Sequence, residues 1–171
     1  MEAWDAICAR RDVREFADRP IPESDLERIL EAGRRSPSAM NSQPWNFVVC
    51  RDRETLRRLA DACGAAHHVA TCAAAVALVA PERDSEEGRW WVQYDLGQVT
   101  MSMMIAATAL GIGSSHAGVQ EKQAVVRLLG IPEGLFCRHV IAFGYPKTGN
   151  LRPIANPKRR PLSDIVHFER W

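Results

Sequence analysis

The sequence has no cysteine pair at CxxC spacing. Its five cysteines, Cys8, Cys50, Cys63, Cys72 and Cys137, are odd in number. Reduced thiols are expected rather than a disulfide framework. There is almost no net charge, +1 at pH 7, so no global field points to nucleic acid or an anionic membrane as partner. No apolar run approaches a bilayer span and no signal-type segment stands at the N-terminus, so a cytoplasmic protein is expected. A dinucleotide fingerprint is also missing, because Gly111-Ile112-Gly113 is not followed by the third glycine. Internal repeats and low-complexity segments are absent. What is present is ordinary: 171 residues, 46% hydrophobic and 25% charged. One domain over residues 1–171 with a sizeable core is expected.

Apolar spacing predicts the elements. Helices are expected over 3–11, 23–35, 53–62, 92–110 and 120–130, and strands over 46–51, 73–80 and 137–144, with 114–119 a short strand or extended loop. The second half of the long helix is apolar nearly all round, from Val99 through Met101, Met103, Met104 and Ile105 to Leu110. A helix without a polar face is buried on every side. A chain this short hardly encloses one alone, so a subunit interface is expected along it, the alternative being a central core helix. From Tyr145 the chain turns polar and proline-rich, then ends in Ile165-Val166-His167-Phe168-Glu169-Arg170-Trp171. Phe168 and Trp171 need a surface to cover, and another subunit is the expected one.

Four stretches carry possible chemistry. Ser36 to Trp45 is a loop by its prolines and serines, yet it holds Asn41, Gln43 and Trp45. Amides suit the donor and acceptor edge of a flat heterocycle; taken alone, the loop reads better as self-tied. In Arg10-Arg11-Asp12-Val13-Arg14, Arg10 and Arg14 share a face if the first helix continues. Converging guanidinium groups suit a phosphate, and a solvated basic face is the alternative. Lys158-Arg159-Arg160 by itself reads as a solvated charge run. Cys63/His67 and His68/Cys72 have i,i+4 spacing that imitates zinc ligands, but Gly64 weakens the helix and the pairs face different ways, so packing is expected and no metal. His116 is a candidate proton donor or a structural histidine.

Taken together, these stretches resemble the FMN-dependent nitroreductase family. The resemblance spans nearly the whole chain. It is carried by Arg10-Arg11-Asp12-Val13-Arg14-Glu15-Phe16, Pro37 to Trp45, Asp95-Leu96-Gly97 and Ala109-Leu110-Gly111-Ile112-Gly113. Leu129-Gly130-Ile131-Pro132, Gly144-Tyr145-Pro146, Lys158 to Leu162 and Val166 to Trp171 complete it. The resemblance implies an α+β nitroreductase-like sandwich, with a mixed, mainly antiparallel sheet of four or five strands flanked by helices. It implies an intertwined homodimer in which residues 145–171 form an arm reaching the partner, with FMN held between the chains.

By the same resemblance, Arg10, Arg11 and Arg14 bind the phosphate and ribityl chain, with Asp12 where the family usually has serine. Lys158 and Arg160 form a second clamp. Pro37, Ser38, Ala39 and Asn41 form the wall reaching FMN from the partner, and Ala117 and Gly118 approach the ring with their backbone. Gly64 and His67 lie where the family often touches the ring's polar edge. The implied activity is ping-pong hydride transfer from NADH or NADPH to flavin N5 and on to a small acceptor: a nitroaromatic, quinone, flavin or activated alkene. No side chain has to act as acid or base, so no catalytic residue is named. A flavin store or sensor without turnover is the alternative. So is a flavin-fragmenting enzyme similar to the dimethylbenzimidazole synthases, which the Arg-Arg-Asp-Val-Arg stretch also resembles.

Overall fold

Strand β2 (Ala74–Pro81) is the axis of the molecule, with seven of its eight residues buried. A computed structural model describes residues 1–171. Before β2 come α1 (Ala3–Ala9), α2 (Glu23–Arg34), β1 (Asn46–Cys50), α3 (Arg53–Ala62) and α4 (His67–Thr71); after it come α5 (Glu86–Ala109), β3 (Gly113–Gly118), α6 (Lys122–Leu129) and β4 (Leu135–Gly144). The strands form one four-stranded sheet in the order β1-β2-β4-β3. Every neighbouring pair is antiparallel. The only parallel pairing is an isolated bridge between Asp12 and Ser114, outside the strands proper.

Alternation along β2 divides the core. Ala75, Ala77 and Val79 face one cluster, with Leu56 and Leu59 of α3 and Val125 of α6. Ala74, Val76, Leu78 and Ala80 face another, with Leu26 and Ile29 of α2 and Val99, Met103 and Ala107 of α5. The result is an α+β sandwich with helices on both faces of an antiparallel sheet. Small residues on β2 let both layers close in. Gly33 does the same between helices, because a Cβ there would run into Met103.

Two element boundaries need correction. The long helix begins at Glu86, not Val92, because Ser85 accepts the Gly88 N–H at 3.1 Å and caps it. Glu86 and Glu87 then sit where the helix dipole favours them. As expected, one chain alone does not enclose α5: Met101 (46%), Trp90 (56%) and Tyr94 (54%) are exposed. The first helix stops at Ala9, so Arg10 and Arg14 share no helical face. Cys63 and His67 share no helix, as Gly64 suggests: Cys63 caps α3 and Gly64 turns with φ +70° before α4 starts. Burial raises the thiol pKa of Cys63 to about 11 and of Cys72 to about 12. All five cysteines are free thiols.

Candidate functional site

Past α1 the chain is extended, with Arg10 at φ −59° and ψ 127°. Extended backbone alternates its side chains, which places Arg10, Asp12 and Arg14 on one side. The Asp12 carboxylate pairs with Arg10 at 3.2 Å and with Arg14 at 3.8 Å. Residues 11 and 13 turn the other way. The Val13 N–H donates to the Ser114 carbonyl at 2.9 Å, fastening this segment to β3. A Cβ on Gly113 would overlap the Val13 side chain, so the fastening needs a glycine there. Arg11 donates to the carbonyls of Asn150 (3.0 Å) and Arg152 (3.2 Å). Its guanidinium holds the start of the C-terminal arm.

Arg10 and Asp12 form the rim of a cleft of ≈ 380 Å³. Its floor is α5, through Gln93, Leu96, Gly97, Thr100, Met101 and Met104, and its far side is His116 and His139. Those α5 positions recur at helical spacing. Beside the cleft, β3 is the edge strand. Its outer side is bridged only at Ser114, leaving the main chain from His116 to Gly118 without a strand partner. Buried near this edge, His68 Nε2 and the Ser114 and Ser115 hydroxyls have no hydrogen-bond partner. Burial, followed by the charge of Arg14, lowers the His68 pKa; burial, followed by His116 and Arg138, lowers that of His139. Both imidazoles are therefore neutral at pH 7 and cost no extra positive charge.

This set of groups can hold a flat molecule with a polar edge and a phosphate. Guanidinium groups match phosphate oxygens, the open strand edge offers main-chain donors and acceptors, and leucine and methionine carry an apolar ring.

The remaining residues expected at the site are elsewhere. The Ala117 side chain is in the core beneath α3 and α6, so only its backbone is available to a ligand. Gly118 is exposed and lies opposite His139 in β4. Pro37, Ser38, Ala39 and Asn41 do not line the Arg10 cleft; Ala39 and Met40 instead line a cavity of ≈ 460 Å³ with Trp91 and Asp95. The loop is strained, with Met40, Asn41 and Gln43 all at positive φ (54°, 54° and 47°). Such residues cost about 1–3 kcal/mol each and persist where surrounding contacts hold them. Gln43 supplies some of those contacts, its N–H donating to Ser38 Oγ at 2.9 Å and its side chain to the Asn41 carbonyl at 3.2 Å. Trp45 is buried in the core. The Asn41 side chain has no partner.

Lys158 and Arg160 lie on the arm, where residues 152–171 are all exposed. Arg160 donates to the Asp164 carbonyl at 2.6 Å. Gly64 packs on the Gln120 side chain, and His67 is exposed at the start of α4. Gln93, Thr100 and His139 are not singled out by the sequence, and Gly97 only as part of the Asp95-Leu96-Gly97 motif. For the α5 residues the signal was their helical spacing. For His139 there was none, since it depends on strand pairing.

The nitroreductase family model matches residues 7–71 and 64–145. A protein of Archaeoglobus fulgidus, provisionally named NADH dehydrogenase/NAD(P)H nitroreductase, is 37% identical over 99% of both chains. One of the same provisional name from Methanothermobacter thermautotrophicus is 31% identical over 100% of this chain and 88% of its own. A crystal structure of a provisionally named NADH oxidase from Clostridium acetobutylicum superposes with a TM-score of 0.85 at 26% identity, covering 98% of this chain and all of that one. Nitroreductase A of Vibrio parahaemolyticus superposes with a TM-score of 0.86 at 25% identity, over 100% of this chain and 77% of its own. With the fold, the chain-long match and the sequence identities in agreement, this chain belongs to the nitroreductase family.

Proposed function

We propose that the protein is an FMN-dependent NAD(P)H oxidoreductase that works as a cytoplasmic homodimer. The observation that carries this reading is the meeting of Arg10, linked through Asp12 to Arg14, with the open edge of β3 above a floor of α5 that includes Leu96, Met101 and Met104. When bound, the flavin would supply hydride acceptance at N5 from NADH or NADPH and return it to a small electrophilic acceptor, such as a nitroaromatic, quinone, flavin or activated alkene.

The protein's part is binding and orientation. Arg10 and Arg14 hold the phosphate. Asp12 pairs with both and competes with the phosphate for them. The main chain at Ala117 and Gly118 meets the polar edge of the ring, where N–H donors stabilise negative charge. Leu96 and Met104 exclude water from one ring face. Within one chain the Pro37–Asn41 loop and the Arg10 cleft are separate. A second copy would complete the site, bringing Pro37, Ser38, Ala39 and Asn41 to it as a wall. Residues 145–171 would cross between the chains, with Lys158 and Arg160 as a second phosphate clamp; Arg11 serves by anchoring that arm. No side chain is assigned as acid, base or nucleophile.

One spectroscopic experiment tests this. Purified protein is expected to be yellow and to bleach under anaerobic NADH or NADPH. Yellow protein that neither donor reduces would make it a flavin store or sensor. Protein that stays colourless after incubation with FMN would overturn flavin binding altogether. A second reading, flavin fragmentation, draws on Asp12 between two arginines and on a 5,6-dimethylbenzimidazole synthase of Rhodospirillum rubrum, 28% identical over 81% of this chain. It requires dimethylbenzimidazole to appear when reduced FMN and oxygen are supplied.

A further inference from the structure

A second cavity, of ≈ 560 Å³, adjoins the Arg10 cleft and shares Gln93 and His139 with it. Arg83, Arg89, Lys122 and Arg138 line it, against the single carboxylate of Glu82. This is a strong local excess of positive charge in a chain of net charge +1. None of the four cations forms an ion pair. Arg89 instead donates to the carbonyls of Arg83 (3.1 Å) and Asp84 (2.5 Å), which fixes the turn that carries Arg83.

Arg138 reaches this cavity because of a bulge. Leu78 and Val79 of β2 pair with His139 and Cys137 of β4, so Arg138 has no partner in β2. Strict alternation from Val140 would point Arg138 into the apolar core beneath α3 and α6 and put Cys137 on the face of His139. The bulge exchanges them. Cys137 is buried in that core, and Arg138 is exposed beside Phe136, its guanidinium 5.8 Å from the ring centroid. The register of the sheet is thus broken where it delivers a cation to the cavity.

We infer that this basic cavity binds the phosphate groups of the nicotinamide donor while its nicotinamide reaches over the flavin that the adjoining cleft would hold. The inference rests on the oxidoreductase reading above. The chain has no glycine-rich fingerprint to cradle a dinucleotide, so its phosphates need another partner. Unpaired guanidinium and ammonium groups provide one. Two phosphate positions share this chemistry, the pyrophosphate of both donors and the 2′-phosphate of NADPH alone.

The test uses FMN-loaded protein and 2′,5′-ADP as probe, titrated calorimetrically, with Arg83→Ala/Lys122→Ala and Arg138→Ala. The double variant leaves the bulge untouched, so it reports even if Arg138→Ala folds poorly. Each lost cation is expected to weaken the probe about five- to tenfold, with flavin content unchanged. Anaerobic stopped-flow reduction then separates the sources. A raised Kd for both NADH and NADPH places the pyrophosphate here, and a raised Kd for NADPH alone places the 2′-phosphate; either supports the inference. Unchanged probe and donor affinities overturn it. So does an effect confined to the acceptor, or loss of flavin from the variants. Yellow protein that neither donor reduces, or colourless protein, sinks the oxidoreductase reading instead. The 2′,5′-ADP titration still reads the cavity by itself.

Discussion

The carboxylate of Asp95, only 1% exposed, accepts the backbone N–H of Ala39, which lies 3.3 Å from each of its oxygens. A residue in α5 thereby holds the strained loop that carries Met40 and Asn41. Gln98, one turn on, adds a longer contact at 3.4 Å. Buried carboxylates are expensive unless satisfied, so Asp95 has to be repaid by what it positions. Asp95→Ala leaves the Ala39 N–H unpaired and is expected to cost about 2 kcal/mol, with reduced flavin retention. Asp95→Asn, which keeps an acceptor, should lose less than half of that. Urea unfolding and flavin absorbance check both. Equal flavin content in Asp95→Ala and the parent protein would show that the loop needs no such tie.

Asp12 sits between two arginines that the proposed phosphate also needs. A carboxylate competes with a phosphate for the same guanidinium groups. Asp12→Ser is therefore expected to tighten FMN binding roughly two- to fivefold, the scale of a partly exposed ion pair. Arg14→Ala combined with Arg160→Ala should weaken it. Fluorescence titration of apoprotein with FMN measures both, and undiminished affinity in the double variant would remove the arginines from the phosphate site.

Trp90, Tyr94 and Met101 form an exposed stripe along α5, with Trp90 stacked on Tyr94 at 5.6 Å. Gly97 lies in the same stripe, and a Cβ there would meet nothing within 4 Å. An apolar stripe of this size on a helix calls for a partner. Tyr94→Glu with Met101→Arg is expected to convert a dimer to monomers and to release flavin. Light scattering at micromolar protein gives the answer, and an intact dimer in that variant would move the interface elsewhere.

His68 and His139 both have pKa values below the ordinary 6.5, chiefly because burial disfavours their charged forms. Below about pH 6.5 the unfolded chain therefore binds more protons than the folded one at these sites. Their contribution to stability is present above about pH 6.5 and lost as pH falls through the lower folded values. A thermal transition that drops between pH 7 and pH 5, less steeply in His139→Gln, is the expected result. NMR titration of both imidazoles should give midpoints below 6.5. A midpoint above 6.5 for either would contradict the burial argument.

Much of the fold was legible because local chemistry writes it. The helical spacing of Leu26, Ile29, Leu30 and Gly33 marked α2, and the apolar run from Phe47 to Cys50 marked β1. The start of α5 was misplaced because Trp90 and Trp91 look like an approach to a helix, while the cap that starts it is a single serine. Helical spacing does not bring Arg10 and Arg14 together, because the first helix stops at Ala9. They meet across Asp12 in extended chain, which the bridge to Ser114 fastens to β3.

The sequence by itself determined the alternation of elements, the two basic clusters, the polar proline-rich loop and the resemblance that tied them to one family. Each of these depends on residues close together in the chain, where periodicity and turn chemistry act. Only the tertiary structure decided that Arg11 holds the arm, that Asp95 holds the loop, that His139 faces the cleft and that a bulge sends Arg138 into a basic cavity. Those outcomes depend on strand register and on packing across the sheet. A displacement of one residue there reverses the face of a side chain, and no local pattern reports it.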